Sequence, residues 1–181
     1  MHKLRITALI ACSFLAFGAA ALAQTESTPV PTQPKPDFSK FMTGTWSCSV
    51  MSSRRPGPYV VTTTSTVSPN GYWLLTRSVV HPTAWIPATI EGEDRMTYDP
   101  STSTWIDMES DDQGGYDVST SPGWQGDTIV WTDRVYPKSN NTATDNPTTT
   151  TKVSATKMVS TNSFTEPSGR MVHVRTTCTK S

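Results

Sequence analysis

Tyr59 to Val80 reads YVVTTTSTVSPNGYWLLTRSVV, two runs rich in valine, threonine and aromatics on either side of Ser68-Pro69-Asn70-Gly71. β-Branched and aromatic side chains suit a pleated, half-buried strand, and Pro-Asn-Gly supplies the dihedrals of a tight reversal, so the stretch predicts an antiparallel hairpin. The same character extends in both directions. Short alternating or Thr/Val-rich runs recur at 45–52, 59–67, 72–80, 95–98, 104–110, 116–120, 127–133, 149–156, 157–165 and 170–178. Turn residues separate many of them, as in Tyr98-Asp99-Pro100-Ser101, Asp111-Asp112-Gln113-Gly114-Gly115, Pro122-Gly123 and Pro167-Ser168-Gly169. The pattern predicts roughly ten strands, and the mostly short connections make neighbours antiparallel. A sandwich and an up-and-down barrel both fit. The barrel is expected, because closure removes the edges that so many Thr/Val strands would otherwise expose. Tyr136 to Pro147, without apolar periodicity, is expected to be the longest loop.

Composition excludes the helical alternative. After residue 23 the only leucines are Leu74 and Leu75 and the only alanines Ala84, Ala88, Ala143 and Ala155, against 20 serines, 30 threonines and 14 valines. The good helix formers are nearly absent. The first 23 residues read as an export signal, with Lys3 and Arg5 ahead of an apolar run from Ile6 to Ala20 and a small-x-small site at Ala21-Leu22-Ala23. A lipoprotein reading through Leu9-Ile10-Ala11-Cys12 would shorten the apolar region to Ile6–Ala11 and leave apolar Ser13–Ala23 in the mature chain, so cleavage before Gln24 is expected. Removing Lys3 and Arg5 leaves 13 basic against 15 acidic side chains, a net charge of −2. That balance disfavours nucleic acid and anionic membrane surfaces as partners. The expectation is a soluble monomer, periplasmic or secreted.

Residues 24–37 contain four prolines and little to bury, so they read as a disordered tether preceding a single domain over 38–181. Asp37 is placed to cap one helical turn bearing Phe38, Phe41 and Met42, with Gly44 to end it, a short helical plug at the N-terminus. Cleavage discards Cys12 and leaves Cys48 and Cys178 in a compartment where disulfides persist. A bridge would tie the two ends of the domain; the alternative is two separate buried thiols.

Phe38-x-x-Phe41-Met42-x-Gly44-x-Trp46 resembles the start of lipocalin-like (calycin) barrels. Ser65-Thr66-Val67 with Pro69-Asn70-Gly71-Tyr72-Trp73, then Met96-Thr97-Tyr98-Asp99-Pro100-Ser101-Thr102-x-Thr104-Trp105, then Trp124-Gln125-Gly126-Asp127-Thr128-Ile129, and finally Arg175 follow in the order seen in a bacterial family of exported calycin-like domains of unknown function. The resemblance spans about 38–181 and implies an all-β, antiparallel, up-and-down barrel without assigning a reaction. It implies that an arginine of the last strand, here Arg175, lies across Trp46 to close the barrel floor, a contact suited to structure more than catalysis. Cys48 departs from the family pattern, so the bridge cannot be carried over from it. There is also a parity conflict. Arg175 and Cys178 are an odd number apart, so either a bulge near Thr176-Thr177 aligns both with the Trp46/Cys48 face or one of the two pairings is wrong.

Within such a barrel, Tyr98, Trp105 and Trp131 are candidate ligand-lining aromatics, with plain core as the alternative. His173 is a further candidate, because haem-binding calycin-like proteins use one histidine near the C-terminal strands as axial ligand; the chain shows no second haem feature, and no other cofactor is implied. With His81 in a probable loop before Pro82 the only other histidine, a zinc site is not expected. Asp107, Glu109, Asp111 and Asp112 form the densest acidic run and read as a solvated hairpin, although Asp107 and Glu109 share parity with Trp105 and could line a cavity. No nucleophile motif is present, so the leading expectation is a binder of a small apolar or amphipathic molecule rather than an enzyme. The competing classes are an envelope module with a side-chain-filled barrel and an enzyme using Asp107 and Glu109.

Overall fold

The computed structural model describes residues 34–136, 144–166 and 168–181, and of 133–136 and 144–146 the backbone alone. The expected signal peptide, the part of the expected tether before Pro34 and the middle of the expected 136–147 loop lie outside the described residues. Ten strands run in chain order: β1 (Gly44–Ser52), β2 (Tyr59–Val67), β3 (Leu74–Val80), β4 (Ile90–Asp99), β5 (Thr104–Asp111), β6 (Tyr116–Ser121), β7 (Thr128–Tyr136), β8 (Thr144–Ser154), β9 (Lys157–Thr165) and β10 (Met171–Lys180). Each pairs antiparallel with the next and β10 pairs with β1, giving a closed up-and-down barrel.

Several boundaries differ from expectation, three of them instructively. β4 begins at Ile90 rather than 95, because Glu91, Glu93 and Arg95 point outward while Ile90, Gly92 and Asp94 point inward, an alternation that charge conceals. β3 begins at Leu74, since Ser68 N–H donates to the Trp73 carbonyl and Tyr72 N–H to Asn70 Oδ1, which holds the preceding residues in a turn. Thr144–Pro147, expected as loop, is the start of β8, which bulges between Lys152 and Ser154. The Phe38–Phe41 segment is one hydrogen-bonded turn: Phe41 N–H donates to the Phe38 carbonyl at 3.0 Å, and Ser39 N–H to Asp37 Oδ1 at 2.9 Å. With Gly44 diverting the backbone at φ 91°, too few residues remain for further helical bonds.

The seam between β1 and β10 fixes the direction of every side chain. Its register sets Cys48 opposite Cys178, Trp46 opposite Lys180 and Val50 opposite Thr176 without a break. Cys48 and Cys178 form a disulfide with their Cα atoms 4.0 Å apart. Trp46, Cys48 and Val50 are buried while Ser47, Ser49 and Met51 are exposed, so the inward parity of β1 is settled and passes strand by strand around the sheet.

At the end where β1 begins, here the floor, Trp46, the disulfide and Met158 form a buried cluster with Met42 and Val61 against it. Beside it the N-terminal turn seats Phe41 on Trp105 at 4.4 Å between centroids, with Trp124 and Phe38 at 6.0 and 6.1 Å from Phe41. Gly123 is required here: its φ of 97° favours glycine, and a Cβ would stand 3.0 Å from Trp105 Nε1. The outer face is largely hydroxylic and charged, with Thr62, Thr64, Thr66, Arg77, Glu91, Glu93 and Arg95 on adjacent strands. Lipid-facing barrels need an apolar band there instead. Among the described residues no helix is long and apolar enough to cross a membrane.

The disulfide closes a loop of 130 residues. Chain-entropy reasoning gives an upper value of about 4 to 5 kcal/mol for such a loop. Replacing both cysteines by serine is expected to lower the thermal midpoint in step with loss of the S–S mass signature; an unchanged midpoint would mean that the β1–β10 ladder alone holds the seam.

Candidate functional site

The opposite end of the barrel, the mouth, is built differently. Parity turns Tyr59, Val80, Ile90, Phe164 and Val174 inward there, and two loops, 53–58 and 81–89, stand over them. Trp85 of the second loop lies against Gly57 of the first, where an added Cβ would meet the indole at 3.1 Å, so glycine permits the closest approach of the two loops. Thr83 Oγ1 accepts from the Ile86 N–H at 3.0 Å and fixes the turn that presents Trp85 and Ile86. Tyr59, Val80, Trp85, Ile86, Ile90, Phe164 and Val174 line a half-open cavity of about 450 Å³, with Arg54 and Arg55 also in its wall. The volume lies within the ordinary range of small-molecule pockets. A groove of about 550 Å³ crosses the outer face, walled by Thr62, Thr64, Thr66, Arg77, Glu93 and Arg95. It has no aromatic wall and lies on the hydroxylic exterior.

The polar groups at the mouth are unevenly satisfied. Glu166 accepts from Arg170 Nε at 2.8 Å and from Arg54 Nη1 at 3.3 Å, and these hydrogen bonds and charges hold its carboxyl below the usual range. Arg55 makes no salt bridge among the described residues. Burial raises the Tyr59 hydroxyl above its ordinary value, opposed by the charges of Arg55 and Arg54. Trp85 Nε1 is buried without an acceptor.

Deeper in the barrel, on the β4–β6 wall, carboxylates converge. Asp94 stands opposite Glu109, which stands opposite Asp117, and Asp107 stands opposite buried Ser119. Asp107 and Glu109 both take the inward parity of Trp105; the expected solvated hairpin is corrected for half-buried Asp107, while Glu109 stays exposed. Asp111 fits the hairpin reading, its Oδ1 accepting from the Gln113 and Gly115 N–H groups at 2.9 and 2.8 Å. Burial first, then the charges of Glu109, Asp107 and Asp117, raise the Asp94 pKa to about 9. Among the described residues no group of three or more His, Cys, Asp or Glu is arranged to hold a metal ion.

Tyr98 and Trp105 stack on each other at 5.3 Å between centroids as part of the floor, and Trp131 is buried with 8% exposure. None of the three lines the mouth cavity. His173 falls on the outer face of β10, exposed, its Nδ1 2.8 Å from Ser163 Oγ, and so is corrected as an interior or haem-facing residue. His81, also exposed, meets Thr62 Oγ1 at 2.8 Å through Nε2.

Arg175 is corrected as well. It is exposed and in register with Met51, five residues along β1 from Trp46, or roughly 17 Å at strand rise. Lys180 takes the place expected of it, with Nζ 5.5 Å from the Trp46 ring. The parity conflict resolves in favour of the disulfide, since β10 has no bulge against β1. Gly44 makes the lysine contact sterically open: a Cβ there would lie 3.1 Å from Lys180 Cε.

The residues that line the mouth carried a weaker signal. Tyr59 heads a strand, Phe164 closes one, and Trp85-Ile86-Pro87 sits in a segment with no strand pattern, where an apolar cluster in a connection marks a loop with something to cover. The chain matches no protein-family model and no curated protein, so the calycin resemblance rests on the quoted motifs and the closed barrel.

Two outcomes are expected. In double-mutant cycles, Trp46→Ala and Lys180→Ala should couple by about 0.5 to 1 kcal/mol, whereas Trp46→Ala and Arg175→Ala should add; coupling to Arg175 instead would contradict the register. Folded Asp94 keeps its proton up to about pH 9, while the unfolded carboxyl loses it near 3.8. Between those values the native state holds the extra proton, so this group makes stability fall as pH rises. Asp94→Asn should therefore raise the thermal midpoint over the parent at about pH 8 and lose that advantage by about pH 4; equal gains at both would remove the titration argument.

Proposed function

We propose that this protein is an exported, monomeric binder of a small amphipathic molecule whose apolar part occupies the mouth cavity. The observation that carries this reading is the contrast between the ends of the barrel. At the floor, Trp46, Trp105, Phe41 and the disulfide fill the space with side chains. At the mouth, Val80, Ile90, Phe164 and Val174 face a cavity of about 450 Å³ under Trp85. Apolar surface in a concave site gains about 25 cal/mol per Å² when a ligand removes it from water, and an aromatic cover adds contact at little entropic cost. The export signal and the calycin resemblance fit a carrier or scavenger working outside the cytoplasm. A filled envelope module accounts for the floor but leaves the mouth unexplained.

Filling the cavity tests the reading. An apolar fluorescent dye should bind the parent with quenching of tryptophan emission, and Ile90→Trp, which places an indole in the cavity wall, should abolish the binding while the far-ultraviolet circular dichroism of the barrel is retained. Unchanged dye affinity in Ile90→Trp would place the dye elsewhere and remove the proposal.

A further inference from the structure

We infer that the molecule held at the mouth is a single-chain amphiphile with a carboxylate head, its head at the rim on Arg55 and its tail directed inward; this rests on the mouth being the binding site. The argument is an inventory of unpaired polar groups. Arg55 has a guanidinium in the cavity wall with no salt bridge among the described residues. Tyr59 adds a hydroxyl raised in pKa by burial, and Trp85 Nε1 is a buried donor without an acceptor. The nearby carboxylate, Glu166, is already shared between Arg54 and Arg170. Among the described residues that line the cavity there is no carboxylate to answer these donors, and an anion supplies one. Arg54 and Arg55 in the wall against one tied carboxylate make the 53–58 side of the opening positive, which draws an anion to that side.

The orientation follows from what lies deeper. Asp107, Glu109 and Asp117 take the inward parity on the β5–β6 wall beside protonated Asp94, so an anionic head moved inward would meet like charge. An apolar tail against Val80, Ile90, Phe164 and Val174 meets no such opposition. A cavity of about 450 Å³ suits one acyl chain of medium length rather than a two-chain lipid. Arg55 offers a planar fork of donors that matches a carboxylate in two-point contact, which a hydroxyl head cannot exploit.

Calorimetric titration with decanoate and with decanol, of equal chain length, separates head from tail. Decanoate is expected to bind the parent on the order of tenfold more tightly than decanol, the weight of one charge-assisted hydrogen bond. Arg55→Gln, at an exposed position, should keep the parent's thermal midpoint, keep decanol affinity and lose the preference for decanoate. Equal affinities in the parent, or a preference that survives Arg55→Gln, would overturn the carboxylate assignment and leave the cavity as a site. Binding of neither probe would overturn the assignment together with the mouth reading.

Discussion

The antiparallel contact between the first and last strands governs the rest of this barrel. In a sheet with a side-chain period of two, one residue of slip at the seam would turn every inward residue outward. Cys48 against Cys178 fixes that register covalently, and Trp46 under Lys180 holds the adjoining pair. The two devices act on the same face of the same strands, so they reinforce one choice of parity. From it follow both the apolar floor and the convergence of Asp94, Glu109 and Asp117, residues that no local hydrophobic pattern would have sent inward.

The floor and the mouth differ in what their covers do: the N-terminal turn packs its rings into the floor, whereas the 53–58 and 81–89 loops stand over a cavity. Phe38 and Phe41 arrive from the N-terminal turn and pack on Trp105, and Gly123 lies flat enough to let the indole settle. At the mouth the inward aromatics Tyr59 and Phe164 stand among valines and an isoleucine under Trp85 and Ile86, and a cavity remains between them. The middle of the barrel is polar, with Thr63 Oγ1 and Asn162 Oδ1 buried without protein partners. Buried polar atoms left without protein partners draw solvent, and a hydrated middle lowers the cost of an unfilled mouth.

Much of the architecture was legible in the sequence, and its failures share a cause. Thr/Val alternation and the Ser68–Gly71 turn identify β2 and β3 within two residues, because local propensity and tertiary role agree there. The starts of β4 and β8 escaped because Glu91, Asp94 and Pro147 read locally as loop, and only pairing to both neighbours explains them as strand. At the site, tryptophan abundance pointed to Trp105 and Trp131, which are floor and core. Aromatics inside clear strands were read as lining, whereas the lining Trp85 comes from a loop. The family resemblance placed a cation on Trp46 correctly in kind but at the wrong residue: the seam register puts Lys180, not Arg175, in line with it.

The carboxylate wall ties stability to the mouth. Buried acids of like charge favour a native state that retains protons, and Asp94 is the group on which that cost falls most heavily. Such an arrangement weakens the barrel as pH rises, so it is an expensive way to build a scaffold if packing were the only requirement. Apolar residues at 94 and 109 would remove the penalty and continue the core upward from Met96, its neighbour on the same inward face. They would also extend the apolar interior below Val80 and Ile90. The acids therefore define where the mouth ends, and the cavity's depth is set by charge as much as by shape.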